Sequence, residues 1–391
     1  MKWGSCFAKQ TTMRVVIDGR YLCGRSSGIG RYVRALVTRL PNLAPEVDFR
    51  IWTGPDWSDA QLPLRAELHP IRSSTNGLMS LFGLRWLDHL APDDLFHSTA
   101  NILGFGLPCP SVVTVHDTMW LDRLRECQPN WCLRPISFAY FRTGIKRALR
   151  SADRIVTVSH ASARAIESVD KHASNKLRVI HHGVEPCFRP PQRPAKARRD
   201  AASILGFDGE YLLVVGQNQP SKGHDIVLQA FASLRASATR LVFVQRLSGG
   251  LRLREQVRAA GLADRVRFVA ELETEAFVPV MQSALVFLQP SFGEGFGLPA
   301  LEAMACGCPV LASDIEVLRE VLADAAGYAA AGDAGDWLRA IDNIVSNREL
   351  RASLGQRGHR RAQAFSWDNA ARATLGVYRE IMAETARTRF S

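Results

Sequence analysis

The chain has 391 residues, of which 47% are apolar and 22% charged. At roughly 100–200 residues per domain this is two or three ordinary globular domains, which excludes disordered, collagenous and disulfide-scaffold classes. Lysine plus arginine outnumber aspartate plus glutamate by 49 to 38, a net charge of +11 that favours anionic partners: nucleotides, phosphates or acidic lipid.

Residues 1–12 lack the apolar stretch of a signal peptide and read as a ragged extension. Residues 13–18, MRVVID, predict a short buried strand, followed by the glycine-bearing loop CGRSSGIG and a helix over Arg31–Leu40. Further strands are expected at Ile51–Thr53, Leu95–His97, Ser111–His116, Arg154–Ser159 and Lys176–His181, with helices over Trp131–Arg150 and from His160. Arg189–Asp200 is Pro-rich and basic without apolar periodicity, and reads as a linker. Strand–helix alternation restarts at Tyr211–Gly216 and continues to a strand at Val310–Ser313, with a long helical pattern from Trp367. Such alternation implies parallel sheets covered by helices on both faces. The expected division is an N-terminal domain over 13–188, a linker over 189–200, a C-terminal domain over 201–365 and a final helix over 366–391. Ligands of open parallel sheets bind at the carboxyl ends of strands, so the default site is the cleft between the two domains.

The cysteines contain no Cys-x-x-Cys pair, and the closest spacing is Cys306-Gly-Cys308. No zinc motif follows from them, and they read as reduced thiols of a cytosolic protein. No run of about 18 apolar residues marks a membrane-spanning helix.

The richest segment is Pro290–Pro309, PSFGEGFGLPALEAMACGCP. Gly293, Gly295 and Gly297 let backbone approach a ligand, Pro299 suits a first helical turn, and Gly307 suits a helix stop. A loop feeding a helix N-terminus offers free N–H groups to an anion. Glu294 and Glu302 flank it, and carboxylates of this kind accept hydrogen bonds from sugar hydroxyls.

The E-x7-E spacing of Glu294 and Glu302 within EGFGLPALEAMACGCPV resembles the signature of the retaining GT-B glycosyltransferases of family 4. The stretches IDGRYLCGRSSGIGRYVRAL, TVHDTMW, ADRIVTVSHASARAIES, KLRVIHHGVEPCF and LLVVGQNQPSKGHDIVLQAFA are similar to that family as well, so the likeness covers residues 13–385. It implies two Rossmann-like domains facing across a cleft, and transfer of a hexose from a nucleotide diphosphate sugar to a glycan or lipid-linked acceptor, without metal or cofactor. The opening segment and the His-Asp segment are most similar to mannosyltransferases using GDP-mannose.

The same resemblance implies roles for single residues. Glu302 would hold the ribose hydroxyls, and Glu294 would contact the transferred sugar near its anomeric carbon. Backbone N–H groups around Gly295, Phe296 and Gly297 would bind sugar and diphosphate. Lys222 would neutralise the leaving diphosphate, a fixed cation where negative charge develops. Gly28 and Gly30 would let diphosphate and acceptor approach the first loop, while His116 and Asp117 would contact and orient the donor sugar or acceptor. Three positions depart from the family pattern. Ser221 stands where an arginine is usual, Gln245-Arg246 where a glycine follows the strand, and Ala270 where a glycine is frequent. Arg246 is the candidate substitute for the missing arginine.

Arg142, Lys146, Arg147, Arg150 and Arg154 recur at helical spacing opposite an apolar stripe, which predicts a basic face able to rest on anionic membrane. A nucleic-acid partner is not expected, because the basic residues are scattered and no nucleic-acid-binding motif occurs. A dehydrogenase is disfavoured because GRSSGIGRY lacks the GxGxxG spacing. The competing reading is a non-catalytic or weakly active sugar-nucleotide binder of the same fold, motivated by Ser221.

Overall fold

The computed structural model describes residues 14–22, 27–54, 57, 65–84, 88–128, 130–234, 238–245 and 251–390. Two all-parallel sheets organise the chain. The first contains β1 (Arg14–Asp18), β2 (Asp48–Thr53), β3 (Glu67–Pro70), β4 (Leu95–Ser98), β5 (Ser111–Val115), β6 (Arg154–Thr157) and β7 (Leu177–Val179), in the order β3-β2-β1-β4-β5-β6-β7. The second contains β8 (Tyr211–Val215), β9 (Arg240–Val244), β10 (Val266–Val269), β11 (Val286–Gln289), β12 (Val310–Ser313) and β13 (Gly327–Ala329), in the order β10-β9-β8-β11-β12-β13. Strand order reverses between β1 and β4 in one sheet and between β8 and β11 in the other, and those two points are where ligands bind such sheets.

Strands with apolar, β-branched centres, such as RVVID and YLLVV, are buried along nearly their whole length, as parallel strands covered on both faces require. Val15 and Ile17 of β1 pack with Leu36 and Leu40 on one side, and Val16 packs with Phe96 and Ile145 on the other. The helices are shaped by local chemistry. Ser27 caps the Gly28–Leu43 helix by accepting from Gly30 N at 2.9 Å, and Ser159 caps the His160–Val169 helix by accepting from Ser162 N at 3.0 Å.

The expected linker is shorter than its composition implied. From Pro194 the chain is a helix, Pro194–Leu205, with Pro194 in the first turn and Gly206 closing it at φ +77. Its small Ala197 and Ala201 are buried against the Thr274–Ser283 helix, an apolar stripe that the surrounding Pro and Arg residues masked. β3, β13 and the helices Glu316–Leu322, Ala334–Ser346 and Arg348–Ala362 add to the elements foreseen.

The chain passes between the halves twice, and the two passes touch: Val184 N donates to Phe365 O, and Val184 forms a parallel bridge with Ser366. The Trp367–Phe390 helix then lies along the Gly28–Leu43 helix. Arg39–Asp368, Arg379–Glu46 and Arg154 with Glu380 and Glu384 fasten it there.

Candidate active site

At the carboxyl end of β11, Gln289 leads into the glycine loop. Glu294 Oε1 accepts three hydrogen bonds: from Lys222 Nζ at 2.7 Å, Ser291 Oγ at 2.7 Å and Gln289 Nε2 at 2.9 Å. Lys222 reaches it because Gly223, at φ +61, turns the chain so tightly that an added Cβ would lie 2.1 Å from Pro290 O. Only glycine brings the Pro220–Lys222 turn this close to the loop.

The first half of the chain supplies the opposite wall. Asp117 follows β5 and feels the charges of both Lys222 and Glu294. Burial raises its pKa, and the Met119 N–H and the Lys222 ammonium oppose that shift. Glu294, Lys222 and Asp117, three of the residues singled out in the sequence, thus share one electrostatic site.

His116 lies in a more structural position. Burial pulls its pKa down to about 4, so the ring is neutral at pH 7. Its Nε2 donates to Thr99 O at 2.9 Å, and the ring sits edge-on to Tyr32 and His182. Its backbone carbonyl carries the interdomain contact, since a Cβ on Gly295 would lie 2.5 Å from His116 O. Glycine at 295 is therefore required by backbone approach across the cleft. Ser159 Oγ and Ser162 Oγ donate to Gly295 O at 2.9 and 3.3 Å and fix the loop from the other half. The Phe296 side chain is buried beside His182, His181 and Phe365, and Gly297 caps the Leu298–Ala305 helix.

Glu302 lies one turn inside that helix and is buried. Its Oε1 is bound by Arg31 Nη1, from the Gly28–Leu43 helix of the other half. Oε2 is buried without a partner among the described residues, as is Arg31 Nε. Burial raises the Glu302 pKa, and Arg31 opposes that shift.

Gly28 opens the first helix beside free space, with nothing within 4 Å of an added Cβ. Gly30 does not offer its N–H to a ligand, because the Ser27 cap uses it. Arg246 lies outside the described residues. Ser221 is buried and serves the loop through its backbone, accepting from Phe292 N at 2.8 Å.

Several residues of the site carry no motif in the sequence. Gln289 and Ser291 flank the glycine string, and a polar strand end there was the available signal. Arg31 lies inside GIGRY, but only a three-dimensional contact reveals its partner, 271 positions away. Gln245 ends β9 next to the β8 terminus, buried, with both amide atoms unpartnered among the described residues. Buried polar groups left unmet in a protein mark places that a ligand can satisfy.

Residues 199–361 match the family model described as glycosyl transferases group 1, and residues 26–187 match glycosyltransferase family 4. The D-inositol 3-phosphate glycosyltransferase of Acidothermus cellulolyticus is 35% identical over 247 residues, which is 60% of this chain and 54% of that protein. The chain thus spans little more than half the length of that relative. The enzyme of the same name from Salinispora tropica is 32% identical over 392 residues, covering 92% of this chain and 78% of its own. Among solved structures, sucrose-phosphate synthase from Thermosynechococcus elongatus superposes with a TM-score of 0.74 at 22% identity, covering 95% of this chain and all of that one. Two doubly wound sheets, a Glu294–Glu302 loop and helix at their junction, and these likenesses agree: the chain belongs to the group 1, family 4 glycosyltransferases of GT-B fold.

Proposed function

We propose that the protein is a retaining, metal-independent glycosyltransferase that moves a hexose from a nucleotide diphosphate sugar to an acceptor hydroxyl. The observation that supports this most directly is the Glu294 clamp. Three donors hold one carboxylate oxygen, and the other takes no hydrogen bond from the described residues. A carboxylate so oriented accepts from sugar hydroxyls at a fixed place. The Lys222 ammonium beside it offsets the charge that grows on a departing diphosphate. Glu302 Oε2 takes ribose hydroxyls, and the Leu298–Ala305 helix presents its N-terminus to phosphate. Asp117 orients the sugar from the opposite wall. His116, being neutral and anchored to Thr99, acts by positioning and by hydrogen bonding.

GDP-mannose is the donor placed first, on the likeness of IDGR…GIGRY and of the His-Asp segment to mannosyltransferases. The acceptor is a glycan or lipid-linked glycan at the cytoplasmic face of the membrane. Exposed apolar residues line the relevant surface: Trp131, Leu133 and Ile136 by the start of the Arg134–Ser151 helix, and Leu78, Met79 and Phe82 on the neighbouring one. Arg142 and Lys146 supply the charge for anionic lipid. The other three basic residues read from the sequence are engaged within the protein. Arg147 donates to Gly104 O and stacks over Phe105, Arg150 pairs with Asp170, and Arg154 pairs with Glu380 and Glu384. Among the described residues no helix is long and apolar enough to cross a membrane.

The relatives' names favour a second acceptor, an inositol phosphate. The deciding experiment incubates the protein with GDP-mannose, UDP-glucose and other hexose donors, each with lipid-linked acceptors and with D-inositol 3-phosphate, and follows product by mass and anomeric configuration by NMR. Transfer from GDP-mannose with retention supports the reading in full. Transfer from another donor replaces the donor, and nucleotide binding without transfer points to the non-catalytic binder. Flotation with anionic liposomes tests the membrane face: protein that stays soluble at low salt removes it.

A further inference from the structure

Beside Phe296 of the glycine loop, three side chains from the two halves converge. His160 opens the His160–Val169 helix, His181 follows β7, and Glu320 lies on the Glu316–Leu322 helix of the donor half. Their ligand atoms all lie within 4.8 Å of one another. His181 Nε2 is 3.1 Å from Glu320 Oε1, and the rings of His160 and His181 meet edge to face at 5.7 Å.

The carboxylate is already aimed. Glu320 Oε1 accepts from His160 N at 2.7 Å and Oε2 from Ala161 N at 2.8 Å, so its orientation is fixed by the start of a helix in the opposite half. Fixing a ligand by hydrogen bonds to neighbouring groups is what well-defined metal sites do. Two imidazoles and one carboxylate form a donor set suited to zinc and neighbouring first-row ions. Zinc–nitrogen and zinc–oxygen bonds of about 2.0–2.2 Å at tetrahedral angles place ligand atoms roughly 3.3–3.6 Å apart. The 3.1 Å between His181 Nε2 and Glu320 Oε1 has to open only slightly to admit an ion. His160 is exposed, which gives the ion an entry path and leaves a fourth position to water.

We infer that His160, His181 and Glu320 form a transition-metal site that joins the two halves of the chain. It goes beyond the transfer reaction and does not depend on it. Its place gives it a consequence for the donor loop: Ser159, next to His160, holds Gly295 O, and the His181 ring packs against Phe296. An ion here fastens the N-terminal half to the loop that carries Glu294 and opposes separation of the halves.

The test is calorimetric titration of the full chain with zinc chloride, repeated on His160→Ala and His181→Gln, with thermal unfolding followed alongside. His160 is exposed and its imidazole makes no hydrogen bond among the described residues, so His160→Ala is expected to leave the fold intact. The expected result is one equivalent of zinc on the unmodified protein and a raised unfolding temperature. Affinity falls by at least about tenfold in each variant. Cys132 and Cys187 are exposed, so the titration is also run after mild thiol alkylation, and binding persists. Three results overturn the site: no binding to the unmodified protein, equal binding by His160→Ala, or binding abolished by alkylation.

Discussion

Arg31 and Glu302 form an ion pair across the cleft, joining the Gly28–Leu43 helix of one half to the Leu298–Ala305 helix of the other. The pair leaves Glu302 Oε2 and Arg31 Nε without partners among the described residues, the half of a network that the proposed nucleotide would complete. Glu302→Gln keeps the shape and removes the charge. If Glu302 binds ribose, loss of that charged hydrogen bond, about 2–3 kcal/mol, raises donor KM roughly 30- to 160-fold with a smaller change in kcat. The variant also loses about 1–2 kcal/mol of stability, less than a fully buried pair because the Arg31 side chain is 29% exposed. Steady-state kinetics and urea unfolding check both. An unchanged donor KM removes Glu302 from the ribose site.

The proposed role of the Glu294 clamp comes later in the reaction. Glu294→Gln is expected to lower kcat by about 100- to 1,000-fold while donor KM moves little. Lys222→Met lowers kcat in the same direction. Because the two groups touch, the double variant falls by less than the product of the single losses. Strictly multiplicative losses would show that the ion pair is incidental to catalysis.

Gln245 tests whether the unmet amide at the end of β9 serves the donor. Gln245→Leu removes two buried polar atoms that have no partner among the described residues, so stability is expected to hold or rise by up to about 1 kcal/mol. If the amide meets the nucleotide, donor KM rises about fivefold, the loss of one neutral hydrogen bond of about 1 kcal/mol. Higher stability with unchanged KM assigns Gln245 to packing alone.

Much of this architecture is legible in the sequence, because parallel strands are short apolar runs and the helices between them carry strong periodicity. β1, β5, β8 and β12 fall within a residue of where the runs place them, and the Glu294–Glu302 string marks the loop and helix it forms. The Pro194–Leu205 helix is hidden because its buried face is only alanine and leucine among prolines and arginines. β3 and β13 have four and three residues, too few for alternation to show. The contacts that assemble the site are the least legible. Arg31 with Glu302, Ser159 with Gly295 and His181 with Glu320 each join residues more than a hundred positions apart. His116, expected to contact sugar, has its ring in an aromatic cluster and its Nε2 on Thr99 O, a setting that no local motif announces.

Four buried histidines set the acid limit of the fold. Burial is the largest cause in each case: His97 and His224 fall to about 3, His116 to about 4, and His182 well below its ordinary value. Unfolded, each titrates near 6.5. Their stabilisation is therefore complete above pH 6.5 and is lost as pH falls from there toward each folded value, at up to about 1.4 kcal/mol per histidine per pH unit. Glu320, held at about 2 by bonds from His181 and the His160 and Ala161 N–H groups against burial, adds a loss only below about pH 4.5. Urea midpoints at pH 7.5 and 5.0 are expected to differ clearly, the acidic one lower. Equal midpoints would mean that the rings are solvated.

The Trp367–Phe390 helix decides the order in which the molecule can be built. Tyr378 is wholly buried in the N-terminal half, its hydroxyl bonded to His97 Nδ1 at 2.6 Å, and Arg39 meets Asp368 across 329 positions. A growing chain ordinarily completes its first domain first. Here the half synthesised first lacks a wall of its core until residues beyond 366 have left the ribosome, while the second sheet closes within Tyr211–Ala329. Protease resistance of chains truncated near residue 365 would reveal the sequence of events: the half translated second is the first able to finish folding.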